Sequence, residues 1–117
     1  MFTKHKFFLS LSAAIGIALS GNPVLAMNYV VENKIKEGAL VVDVRTPAEF
    51  ASGHFPGSIN IPLQVIESRI TEFGAQDRPI VLYCRTGNRS AHAKEIMESH
   101  GFSDVTDGGG LRDMSVR

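Results

Sequence analysis

Ile80-Val81-Leu82-Tyr83-Cys84-Arg85-Thr86-Gly87-Asn88-Arg89-Ser90 is the stretch that decides how this chain folds. Its first four residues are apolar, which suits a strand buried on both faces of a parallel sheet. That strand delivers Cys84 to its carboxyl end. A polar loop follows, and Ala91, Ile96 and Met97 then mark the inward side of a helix running to about His100, with Gly101 as its terminator. Open α/β sheets bind their ligands at the carboxyl ends of strands, where strand passes through loop to helix.

The loop carries the chemistry. A helix start offers unpaired N–H groups and the positive end of the helix dipole, both of which favour an anion. A thiolate is such an anion, and the pKa of a cysteine placed there falls from about 8.5 to roughly 3.5–7.5. Gly87 is permissive at positive φ and Asn88 tolerates left-handed backbone, so the loop amides can turn inward as a nest around the sulfur. Arg85 and Arg89 add planar, permanently charged forks suited to a small oxyanion. The candidate site is therefore Cys84 as nucleophile, with Arg85, Thr86, Gly87, Asn88 and Arg89 binding substrate. An inert buried thiol is the bland alternative for Cys84, and two arginines and a glycine within five residues weigh against it. Arg85 reads equally as a solvated loop charge, whereas Arg89 opposes the dipole at the helix start and needs an anionic partner.

Outward from this loop, strands and helices alternate. Tyr29 to Glu37 reads as helical, ended by Gly38, and Ala39-Leu40-Val41-Val42-Asp43-Val44 reads as a second buried strand with Asp43 near its carboxyl edge. Thr46, Pro47 and Glu49 form a capping-box pattern for a short helix that stops at Gly53. Ser58 to Pro62 is short and bounded by proline, which fits an edge strand. Leu63, Ile66 and Ile70 repeat at helical spacing and predict a helix to about Phe73, and Val105-Thr106 is the last strand. The pattern predicts an α/β fold in which helices cover a small parallel sheet.

At 117 residues, with 44% hydrophobic and 21% charged residues, the chain fits one globular domain. Residues 1–26 stand apart: Lys4, His5 and Lys6 lead into an uncharged apolar run from Phe7 to Gly21, and Val24-Leu25-Ala26 is a small-residue end. These are the parts of a secretory signal peptide cleaved after Ala26, leaving a single domain over 27–117 in a soluble compartment outside the inner membrane. A membrane anchor is the alternative, but the run is short for a span of roughly 20 residues and is broken by Ser10, Ser12, Gly16 and Ser20. Without that leader the formal charge is about −2 and the basic residues are scattered, which excludes a nucleic-acid stripe or a basic membrane-surface helix. No metal-ligand cluster or dinucleotide motif is visible, so no cofactor is expected.

From Gly38 to Met114 the chain resembles the rhodanese family, and more closely its small periplasmic phage-shock-type members. Four segments carry the likeness in order: Leu40 to Arg45 with Glu49-Phe50, Gly53 to Pro62, Cys84 to Ser90, and Gly109-Gly110-Leu111. The resemblance implies a three-layer domain and a thiosulfate sulfurtransferase, with Cys84 taking the outer sulfur of a sulfur-oxygen anion as a persulfide. A thiophilic acceptor then removes it, either a small one such as cyanide or a thiol, or a protein. The likeness also implies that the amides of residues 85–89 stabilise the persulfide and that Asp43 and Arg45 brace the loop or the helix carrying Glu49. His54 is expected to be satisfied by local hydrogen bonds, and His92 and His100 to lie on the surface. One departure is Met114, which stands where most members place tryptophan and leaves the packing over that edge of the pocket in question.

Two other functions compete. Cysteine-dependent phosphatases and arsenate reductases use a related loop but resemble a pattern in which cysteine and arginine bracket five residues, whereas Cys84 and Arg89 bracket four. A persulfide carrier or a binding module would retain the fold without turnover, and the intact Cys84, Arg85 and Arg89 argue against a dead domain.

Overall fold

Successive residues of β3 (Ile80–Cys84) are all buried, and they divide between the two faces of the sheet. Ile80, Leu82 and Cys84 pack with Val42, Ile66, Phe73, Ala93, Met97 and Phe102 on one side. Val81 and Tyr83 pack with Val31, Val41 and Met114 on the other. A strand wet on neither face has no reason to alternate polar and apolar residues, which is why these runs are continuously hydrophobic. The computed structural model describes residues 23–115, so the leader assigned to residues 1–26 lies almost entirely outside the described part.

The sheet has the order β2-β1-β3-β4 and is parallel throughout, with β1 (Leu40–Asp43), β2 (Ile59–Asn60) and β4 (Val105–Gly110) beside β3. Helices α1 (Pro23–Lys36), α2 (Pro47–Ser52), α3 (Asn88–Ser99) and α4 (Leu111–Ser115) complete the regular elements. The expected α/β architecture is the one observed, with β2 as an edge strand. Gly38, at φ 93°, turns the chain out of α1 and into β1.

Three local expectations need correction. The helix predicted from Leu63 to about Phe73 is instead two 3₁₀ turns, Leu63–Val65 and Ile70–Phe73. Arg69 between them sits at φ −114° and ψ 22°, outside the α region, so the helix cannot run through. Met97 is buried and Ile96 packs against the core as expected, but Ala91 is exposed, and Ser90 and Ala93 take the inward positions on the first turns of α3. The last strand extends beyond Val105-Thr106 to Gly110, carrying Asp107 and the glycines toward the Cys84 loop.

Candidate active site

β3 ends at Cys84 and α3 begins at Asn88, so only three residues separate the sulfur from the helix start. Gly87, at φ 107°, makes the reversal that most other residues would resist. Asn88 opens the helix and is not left-handed, because among the described residues only glycines have positive φ. The turn aims two backbone donors at the sulfur: the Gly87 N–H lies 3.0 Å from Cys84 Sγ and the Ser90 N–H 3.4 Å. The Ser90 hydroxyl is 3.5 Å away.

Cys84 is 1% exposed. Burial pushes its thiol pKa up, but the Ser90 hydroxyl and the amides of Ser90, Gly87 and Thr86 outweigh burial and hold the thiol below its ordinary value. The expectation of a depressed thiol thus follows from hydrogen bonds to the sulfur anion. Ser90, fully buried, had no assigned role in the sequence reading. The available signal was its position three residues after Gly87, on the turn of α3 that faces the sulfur.

The two loop arginines differ sharply. Arg89 is held by Glu49, with Nη1 donating to Oε1 at 2.8 Å and Nη2 to Oε2 at 3.0 Å. This fork-to-fork pair and the Thr46 N–H lower the Glu49 carboxyl to about 2. Arg85 is exposed and has no ion-pair partner among the described residues. It lines a groove of about 300 Å³ together with Arg45, Glu49, Ser52, Gly53 and Leu111. Thr86 in the loop and Asn88 at the helix start are exposed, and Gly87 between them is half-buried.

The wall opposite the loop is α2, whose position is fixed at both ends. Thr46 caps its start: the Thr46 hydroxyl accepts from the Glu49 N–H at 3.2 Å, and the Thr46 N–H donates to Glu49 Oε1 at 3.0 Å. At the other end the buried Arg45 donates to the Gly53 carbonyl at 2.7 Å while gripping Asp43 through Nε at 2.9 Å and Nη2 at 2.6 Å. Asp43 and Arg45 therefore brace the helix that carries Glu49, as the resemblance implied.

The glycines of β4 form the floor. A Cβ on Gly110 would collide with the Arg85 carbonyl, and one on Gly109 would lie 2.6 Å from Asp113 Oδ2, so the loop backbone rests directly on this segment. Met114 is 1% exposed and fills the core on the Val81 and Tyr83 side of the sheet. It therefore does not form the pocket edge, where Leu111 stands instead. His54 is satisfied locally, with Nδ1 donating to the Phe50 carbonyl at 2.8 Å and its ring stacked on Phe50. His92 is exposed, and His100 is half-buried against the Ile96 carbonyl at 2.9 Å. Among the described residues no group of three metal-ligating side chains comes together, and no helix is long and apolar enough to cross a membrane.

Comparison with known proteins agrees with this geometry. The rhodanese-like domain matches residues 27–110. The chain is 37% identical over 76 residues to the thiosulfate sulfurtransferase PspE of Escherichia coli K12, a match covering 64% of this chain and 73% of that protein. It is 41% identical over 69 residues to a sulfurtransferase of Allochromatium vinosum, covering 59% of this chain and 64% of the relative. Among solved structures it superposes on a rhodanese with anions from E. coli at a TM-score of 0.64 and 34% identity, over 67% of this chain and 93% of that one. The human single-domain sulfurtransferase TSTD1 superposes at 0.63 and 26% identity, over 71% and 87%. A buried cysteine ringed by amides at a strand end, on a four-stranded parallel sheet matched over this length, identifies the chain as a member of the rhodanese-like sulfurtransferase family.

Proposed function

We propose that the protein is a thiosulfate sulfurtransferase that carries sulfane sulfur on Cys84. The observation that carries this reading is the pair of amides, Gly87 and Ser90, aimed at a buried sulfur whose thiol is acidified. Donors placed so favour any sulfur anion at that point, whether thiolate or persulfide. Two relatives named as thiosulfate sulfurtransferases support thiosulfate as donor. In the first half-reaction the Cys84 thiolate attacks the outer sulfur, a sulfur–sulfur bond forms, and sulfite departs with the electron pair of the broken bond. In the second, a thiophilic acceptor, cyanide or a small or protein thiol, attacks that same outer sulfur and Cys84 leaves as thiolate.

Arg85 is the cation best placed to meet the departing sulfite, because its charge is not committed to a carboxylate and it borders the groove. Arg89 contributes by cancelling Glu49 beside the entrance. The test is turnover of thiosulfate and cyanide: equal amounts of sulfite and thiocyanate are expected, and no thiocyanate above the uncatalysed rate would sink the reading.

We further propose that the protein works in the periplasm after loss of residues 1–26. The basic start and apolar run of the leader support this. Cleavage after Ala26 would leave ten residues of α1, including the buried Val31. Amino-terminal sequencing of the protein recovered from osmotic shock fluid should read from Met27, and an intact amino terminus in the membrane fraction would refute it.

A further inference from the structure

Ser90 Oγ has four neighbours in reach and a single proton. Asp107 Oδ1 lies at 2.7 Å, the Gly87 carbonyl at 3.1 Å and the Gly109 carbonyl at 3.4 Å, and all three can only accept. The fourth neighbour is Cys84 Sγ at 3.5 Å, which donates as a thiol and accepts as a thiolate or persulfide. Asp107 is half-buried on β4 and also receives the Gly109 N–H at 2.9 Å. While Cys84 carries its proton, the chain is consistent: S–H donates to Ser90 Oγ, and Ser90 O–H donates to Asp107. Once the sulfur is anionic, the hydroxyl proton has two negative claimants. It either stays on the carboxylate side, leaving an oxygen lone pair facing the sulfur anion, or swings to the sulfur and abandons Asp107.

We propose that Asp107 is a positioning residue for the sulfur chemistry: it competes with the Cys84 sulfur for the one Ser90 hydroxyl proton and so sets how firmly the sulfur anion is held. The inference rests on Cys84 being the sulfur carrier and adds a control on it. The amides of Gly87, Ser90 and Thr86 and the Ser90 hydroxyl all hold a sulfur anion, and the more firmly a persulfide is held the slower its transfer. Asp107 draws one of them away. No bond to sulfur is made or broken by this step; one O–H rotates between two acceptors. The other charges at this end of the sheet are already engaged: Arg89 from α3 with Glu49 from α2, Arg45 with Asp43 after β1, and Asp113 of α4 with the Gly110 N–H. Arg85 beside the cysteine is exposed.

The experiment is the pH dependence of Cys84 alkylation by iodoacetamide, a readout that needs no thiosulfate and survives if the sulfurtransferase reading fails. Asp107→Asn replaces a charge-assisted acceptor by a weaker neutral one, and the midpoint should fall by about one pH unit, a tenfold change in proton affinity. Asp107→Glu keeps the charge but moves the carboxylate off Ser90, and the midpoint should fall likewise. In a Ser90→Ala background, whose own midpoint rises for want of the hydroxyl, Asp107→Asn should shift little. An unchanged Asp107→Glu midpoint beside a lowered Asp107→Asn one would show that charge alone acts through space, and would overturn the proposal even if Ser90→Ala does not fold. A rise in either Asp107 variant would overturn it as well.

Discussion

At the residue scale the deciding contest is between burial and hydrogen bonding at Cys84. Burial at 1% exposure disfavours the anion, and the donors around the sulfur reverse that preference. The same contest separates the two arginines. Loss of Arg85 in Arg85→Ala should lower kcat/KM for thiosulfate by roughly 10- to 100-fold, the range of one charge-assisted contact of about 1.5–3 kcal/mol. Lysine at that position should recover only part. Arg89→Ala should also slow the donor half-reaction, because it leaves the Glu49 carboxylate unneutralised near the entry of a dianion. Adding Glu49→Gln should then restore much of the loss. If the double variant is as slow as Arg89→Ala alone, Arg89 touches the donor directly. The sequence showed both arginines in the loop and favoured Arg89 for the anion. It could not show that Glu49, forty residues earlier, already occupies that fork.

At the element scale the site is a loop held between a capped short helix and a glycine floor. Helix α2 has six residues, none of them buried, and too few to stand alone, so its caps and its two side-chain ties carry it. The Glu49–Arg89 pair joins α2 to α3. Because the folded carboxyl of Glu49 is lowered to about 2, its contribution to stability is complete above the ordinary carboxylate range and is lost as pH falls through about 2. Glu49→Gln should therefore be less stable than the parent near neutral pH, with the difference shrinking as acid is added. Thermal unfolding from pH 7 to pH 2 checks this, and a gap that stays constant would mean that Glu49 acts through shape alone. The capping box of α2 was legible because its determinants lie within four residues. The failed helix after Leu63 was not, since Leu63, Ile66 and Ile70 keep helical spacing while Arg69 leaves the helical region. Side-chain period reports which residues turn inward and is blind to one backbone dihedral.

For the whole molecule, the parallel direction of the strands was legible because two continuous apolar runs require cover on both faces, whereas their order, β2-β1-β3-β4, was not. What stayed hidden is long-range: β4 continues to Gly110 and brings Asp107 under Ser90, a contact across seventeen residues that no local pattern encodes. Met114 belongs to the same class, since its place in the core beside Val31 and Tyr83 depends on how α4 folds back. The first of these, through Ser90, borders Cys84, the group on which the functional reading depends. Intact-mass analysis of the protein after thiosulfate, and again after cyanide, tests that dependence most directly. The expected result is one added sulfur atom on the Cys84 protein, its removal by cyanide, and no adduct on Cys84→Ser. Absence of the adduct on the parent protein, or the same adduct on the serine variant, would contradict a persulfide carried by Cys84.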